Sequence, residues 1–238
     1  MDSKGGPAIL LPVREGGLGW VLAGPAVSRT SLRSMLRGLV PPGVRRWRYV
    51  LGLLAPSERR ALIRATVRAR LRRLPEWRAT LRRARTVSFI CHGNIIRSPF
   101  AAAAFAQLMR ERGLRIEVMS AGVAARTGER ADPRAVESAL ERGVPLAAHR
   151  ATMLDALHVK TADVLVVMDR LNLARILARY PEAEGRVFLL AGCRADGRST
   201  LDEIHDPVAG TLDDVRKSHA EVLEGVRRLA DALEADPE

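Results

Sequence analysis

The chain has only two cysteines in 238 residues, Cys91 and Cys193, so no disulfide framework can staple it, and a reactive thiol in such a chain belongs in a reducing compartment. Aromatic residues make up 4% of the sequence, and all three tryptophans, Trp20, Trp47 and Trp77, fall in its first third. No window approaches the run of about 18 uncharged apolar residues that a membrane span requires. The apolar piece from Ala8 to Val13 is short and is followed at once by Arg14 and Glu15, which is not the pattern of a secretory signal. From these absences a cytoplasmic protein is expected, with no metal or cofactor.

What the chain does have is enough apolar sequence for a core, at 47% hydrophobic residues, and a positive charge confined to one end. Residues 1–85 contain 19 Lys and Arg against 4 Asp and Glu, a net of +15, whereas the remaining 153 residues carry −3. The first 56 residues also hold 9 Gly and 6 Pro, which points to loops or weak order. Thereafter Ser57 can cap a helix that runs to about Leu74 and stops at Pro75. Ile63, Val67, Leu71 and Leu74 share one face of it, and Arg59, Arg60, Arg64, Arg68, Arg70, Arg72 and Arg73 occupy much of the rest. A basic amphipathic helix of this kind fits an anionic membrane surface or an acidic partner protein; alternatively it packs on the rest of the chain with a solvated arginine face. No recognisable nucleic-acid motif accompanies the charge, so nucleic acid is set aside as a partner.

From Thr86 onward, short β-branched runs alternate with helical periodicity. Strands are expected at Val87–Ile90, Ile116–Ser120, Val164–Met168 and Val187–Leu190, and helices near Pro99–Arg112, Pro133–Arg142, Leu171–Tyr180 and Leu212–Leu233. This alternation implies an α/β fold: a four-stranded parallel sheet with helices on both faces, preceded by a mainly helical or irregular N-terminal extension. The division falls between residues 1–85 and 86–238. Ligands of open α/β sheets bind at the carboxyl ends of the strands.

At the end of the first expected strand stands Cys91-His92-Gly93-Asn94-Ile95-Ile96-Arg97-Ser98-Pro99. The thiolate is the nucleophilic form of cysteine and is favoured near a helix N-terminus or a fixed cation; Cys91 has both in prospect. Gly93 permits backbone geometries closed to other residues, so successive amides of residues 92–98 can turn into one nest, and the following helix adds its positive end. Such a nest binds a phosphate dianion. Arg97 supplies a planar fork for two phosphate oxygens, Ser98 can donate to the thiolate, and Asn94 can pin the loop by bonding its own backbone. The expected product is a cysteine nucleophile beneath a phosphorus atom and a phosphocysteine intermediate. Asp206, stiffened by Pro207, is the candidate acid for expelling the leaving group, ahead of Asp202, which lacks such a proline.

The full string resembles the low-molecular-weight protein tyrosine phosphatase family, and the resemblance runs from about Thr86 to the C-terminus. Ser120-Ala121-Gly122, Asp132-Pro133-Arg134-Ala135-Val136, His149-Arg150-Ala151, Met168-Asp169-Arg170-Leu171-Asn172-Leu173 and Asp206-Pro207 are similar to further family segments. The resemblance implies Cys91 as nucleophile, Arg97 as phosphate binder, Asp206 as general acid, the side chains and amides of His92, Gly93, Asn94, Ile95, Ile96 and Ser98 around the substrate, and His149 bracing the loop through Asn94. It also implies a phosphorylated protein as substrate.

The chain departs from that pattern in two ways. Ile96 occupies the position where many members carry a second cysteine that protects the nucleophile by a reversible disulfide, and nothing in the sequence brings Cys193 beside Cys91. The residues after Asp206-Pro207 are Val208-Ala209-Gly210, without the aromatic wall usual for phosphotyrosine. Ala209-Gly210-Thr211 is closer to the protein arginine phosphatase branch, whereas Ile95 resembles the tyrosine-directed members and carries more weight because it lies inside the loop. Phosphotyrosine is therefore the expected substrate. Phosphoarginine, or a phosphate-binding module of weak activity whose N-terminal region carries the main interaction, stand as alternatives.

Overall fold

The computed structural model describes residues 50–71, 76–196 and 198–234. The chain divides into two compact units, Met1–Gly52 and Leu53–Glu238. The second unit holds every named helix and strand below.

Four short strands form one all-parallel sheet: β1 (Thr86–Cys91), β2 (Glu117–Gly122), β3 (Val164–Val167) and β4 (Val187–Leu189), in the order β2-β1-β3-β4. All four lie within a residue or two of the expected positions. The parallel register sets Cys91 beside Gly122 and Ile90 beside Val167, so three strand ends converge on one edge. Side-chain alternation along β1 sends Val87, Phe89 and Cys91 to one face and Ile90 to the other.

On the first face pack α3 (Arg97–Glu111), α4 (Pro133–Leu140) and α7 (Leu212–Glu234), around Phe89, Phe100 and Phe105. The second face is covered by α5 (Ala156–Thr161), α6 (Arg170–Arg179) and α1 (Pro56–Arg70), around Leu165, Val167, Ile176 and Leu177. The sequence pattern does not disclose α5, or the short α2 (Trp77–Arg82). Trp77 of α2 is buried in the first core, and its indole N–H donates to the Arg194 carbonyl at 3.0 Å.

The helix α1 differs in detail from its expectation. Its start is set by Pro56 in the first turn, with the Glu58 carboxylate accepting from the Ala55 N–H at 2.7 Å, and not by a cap at Ser57. The face that packs against the domain is Ala61 and Ala65, whereas Ile63, Val67 and Leu71 are 51%, 49% and 57% exposed. Small side chains allow close approach to α6, which hydrophobic periodicity alone does not weigh. The expected end at Leu74 and Pro75 lies outside the described residues. Among the described residues, no helix is long and apolar enough to cross a membrane.

Candidate active site

β1 delivers Cys91 to the carboxyl edge of the sheet, and the chain then curls through residues 92–96 before α3 begins at Arg97. Ile96 at the helix cap contributes no side-chain bond, so the leading amides of α3 are left for an anion. Cys91 Sγ lies 3.0 Å from Ser98 Oγ and accepts the Asn94 N–H at 3.3 Å.

Asn94 is fully buried and holds the loop from below. Its Nδ2 donates to Ser98 Oγ at 2.9 Å and to Ser120 Oγ at 3.0 Å, and its Oδ1 accepts the Thr152 N–H at 2.8 Å. It therefore pins the loop to two other segments, not to its own backbone. Asn94, at φ 54°, is also the residue in the left-handed region, and a Cβ on Gly93 would meet only ordinary contact with Ile95. The glycine that the loop requires is Gly122. A Cβ there would lie 2.6 Å from the His92 carbonyl oxygen and 2.8 Å from the Asn94 nitrogen.

His149 Nε2 is 2.7 Å from the Asn94 carbonyl oxygen. Burial pushes its pKa down, against the pull of that carbonyl, which favours the neutral ring donating Nε2–H. From the opposite side, the buried His219 of α7 stacks on Phe100 at 3.9 Å and sets Nε2 3.3 Å from the Ile96 carbonyl. Burial lowers its pKa to about 4, so it too stays neutral near pH 7.

The Arg97 side chain is 1% exposed. Its Nη1 donates to Asp169 Oδ2 at 2.8 Å and to the Ile204 carbonyl at 3.0 Å, and its Nη2 meets Asp206 Oδ2 at 2.5 Å. Burial opposes the guanidinium charge, but the charges of Asp169, Cys91 and Asp206 outweigh it, and the pKa is raised. Asp169 also caps α6 through the Asn172 N–H at 2.8 Å. The Asp206 loop is tied down by Arg134 at the start of α4, which donates to the carbonyls of Val208 and Gly210.

Cys91, His92, Gly93, Ile95, Ile96, Arg97 and Asp206 line one open cavity with Ala124, Arg126, Glu129 and Val208. Asn94 and Ser98 lie beneath it, and His149 reaches only the Asn94 carbonyl. Sequence reasoning missed Asp169, His219 and Arg134 as supports. Asp169 stands inside a quoted segment, so a signal existed for it; a buried histidine on a long amphipathic helix leaves none. Cys193 follows β4, two strands from β1. Burial raises its thiol to about 12, which keeps it protonated and inert. Asp202 pairs with Arg194 on the surface and does not line the cavity. Among the described residues, no group of three or more His, Cys, Asp or Glu is arranged to hold a metal ion.

A parallel sheet whose first strand ends in a thiol, followed by a tight loop whose Asn94 amide meets that thiol and by a buried arginine, defines a cysteine-dependent phosphatase. Comparison with known proteins agrees. A probable low molecular weight protein-tyrosine-phosphatase, EpsP, of Ralstonia nicotianae is 36% identical over 148 residues, which is 62% of this chain and 92% of that protein. A protein-arginine-phosphatase of Bacillus subtilis is 30% identical over 63% of this chain and 97% of its own length. The solved YwlE arginine phosphatase from Geobacillus stearothermophilus aligns with a TM-score of 0.56 at 33% identity, over 63% of this chain and 92% of that one. The chain belongs to the low molecular weight phosphotyrosine protein phosphatase family, whose sequence model matches residues 86–238.

Proposed function

We propose that Cys91, Arg97 and Asp206 carry out phosphomonoester hydrolysis on a phosphorylated protein, with phosphotyrosine as the preferred group. The observation that carries this reading is the Cys91 sulfur seated between Ser98 Oγ and the Asn94 amide, close enough to the Arg97 guanidinium for the two charges to interact. The Cys91 thiolate attacks phosphorus: an S–P bond forms, the P–O bond to the substrate breaks, and its electron pair goes to the leaving oxygen. Loop amides and Arg97 take up the charge of the transferring group. Phosphoryl oxygens compete with Asp206 for Arg97 Nη2, which releases the Asp206 carboxylate to take up a proton from solvent and pass it to the leaving oxygen. It then takes a proton from a water that attacks phosphorus, breaks the S–P bond and regenerates the thiolate. His92, Gly93, Ile95 and Ile96 shape the cavity, while Asn94, Ser98 and His149 hold the loop.

Phosphoarginine is a second reading, favoured by the walls. Ala124 and Val208 offer no flat ring to a phenol, and the Glu129 carboxylate is suited to a cationic guanidinium. Turnover of phosphotyrosine and phosphoarginine peptides by the full chain decides between them. Loss of para-nitrophenyl phosphate hydrolysis in Cys91→Ser supports the mechanism, whereas equal activity in wild type and variant contradicts it.

Residues 86–238 are the catalytic domain in this reading, working in the cytoplasm, and residues 1–85 are an extension of it whose helices α1 and α2 belong to the same compact unit. The exposed stripe of Ile63, Val67 and Leu71, with Arg59, Arg60 and Arg64 around it, suits an anionic lipid surface. Co-sedimentation with anionic but not neutral vesicles, lost in an Ile63→Glu/Val67→Glu variant, supports that role. No binding to either vesicle, or capture by a soluble acidic protein alone, overturns it.

A further inference from the structure

The helix α1 lies outside the residues shared with the family, yet it reaches the phosphate loop through two side chains. α1 packs against α6, and Glu58 Oε1 in its first turn is 3.9 Å from Arg175 Nε. At the other end of the same guanidinium, Arg175 Nη1 is 3.0 Å from His92 Nδ1. His92 directly follows Cys91 and lines the cavity. Its backbone carbonyl is also held, accepting the Ala124 N–H at 2.9 Å, so the residue is fixed at both main chain and ring.

The chemistry of this chain of contacts is directional. A guanidinium has donors and no acceptor, so His92 Nδ1 must accept, and the ring proton resides on Nε2. Nε2 has no hydrogen-bond partner among the described residues, which leaves one N–H donor on a residue that lines the cavity next to the nucleophile. Arg175 does not itself line that cavity. Glu58 offsets the charge of the guanidinium from the side away from the loop and restricts its rotation.

We propose that Arg175 is a positioning residue, anchored by Glu58 of α1, that fixes the His92 ring so that Nε2–H donates to the phosphoryl group held over Cys91. The helix in front of the phosphatase domain is thereby a working part of its phosphate site. A donor of this kind contacts the phosphoryl group in the ground state and the transition state alike, so its loss weakens binding and leaves kcat unchanged. The inference rests on the reading of residues 91–98 as the phosphate site.

A double-mutant cycle on the full chain tests it, read as the inhibition constant of inorganic phosphate and as KM and kcat for para-nitrophenyl phosphate. Arg175→Ala raises the phosphate inhibition constant and KM by about threefold to tenfold, the worth of one hydrogen bond, with kcat within about twofold. In a His92→Ala background the same substitution adds nothing. Glu58→Gln gives a smaller rise, about twofold, that vanishes when Arg175 is already alanine. An unchanged inhibition constant in Arg175→Ala, or an equal rise in the presence and absence of His92, overturns the proposal. A thermal midpoint measured alongside separates lost packing from lost positioning. If wild type neither turns over the substrate nor is inhibited by phosphate, it is the phosphatase reading itself that falls.

Discussion

The floor and the rim of the cavity are built in opposite ways. On the floor, Asn94, Arg97 and Ser98 are buried, and the loop is bonded to β2, to the Thr152 segment, to His149 and to α7. Around the rim, Ala124, Arg126, Glu129 and Val208 are exposed. A buried polar group left without a partner costs on the order of 1–3 kcal/mol, so the floor tolerates few arrangements. The rim carries no such penalty. In the proposed mechanism phosphoryl chemistry belongs to the floor, and the choice of leaving group to the rim.

The largest effect that separates the two is expected at Asp206, which belongs to the rim by exposure and to the floor by its bond to Arg97. Asp206→Ala should lower kcat/KM on phosphotyrosine by roughly a hundredfold to ten-thousandfold, and by much less on para-nitrophenyl phosphate, whose leaving group departs without a proton. Steady-state kinetics on both substrates check this.

The floor should also respond to acid. His219 has a pKa of about 4 in the fold and an ordinary value of 6.5 when unfolded, so the unfolded chain takes up a proton first as pH falls. Its contribution is fully present above pH 6.5 and is lost between pH 6.5 and about 4. That loss is on the order of 3 kcal/mol. Denaturant melts across that window should show a shallower fall in His219→Gln than in wild type.

Asn94→Ala should destabilise the protein by about 1–3 kcal/mol, because it strips a partner from the buried Ser98 hydroxyl, and with it the bonds to Ser120 and the Thr152 N–H. It should also weaken inhibition by phosphate, which calorimetry or kinetics can follow. The smallest effect belongs to the rim: Glu129→Gln should leave stability within about 0.5 kcal/mol of wild type and change only the ratio of phosphoarginine to phosphotyrosine turnover.

Legibility in the sequence followed the same division, with one reversal. Strand positions and the loop were readable because short β-branched runs and the string from Cys91 to Pro99 are local signals. The partners that pin the floor were not, because Ser120 and Thr152 lie 26 and 58 residues from Asn94 and meet it only through the strand order. Asp169 faces Arg97 for the same reason, since β1 and β3 are neighbours. In α1 the largest apolar residues mark the wrong face for packing: Ala61 and Ala65 dock because two helices can approach closely over them, while Ile63 and Val67 face solvent. Gly93 drew attention as the flexible position, yet the close approach occurs at Gly122, which becomes visible only when β2 is laid beside β1.

The central claim is that the thiol on this pinned floor becomes covalently phosphorylated. Rapid acid quench of Asp206→Ala with para-nitrophenyl phosphate, followed by peptide mass mapping, tests it most directly, because loss of the base slows hydrolysis of the intermediate. The account predicts one phosphoryl group on the peptide containing Cys91 and none on that peptide in Asp206→Ala/Cys91→Ala. A phosphoryl group on another residue, or turnover by wild type undiminished in Cys91→Ser, would contradict it.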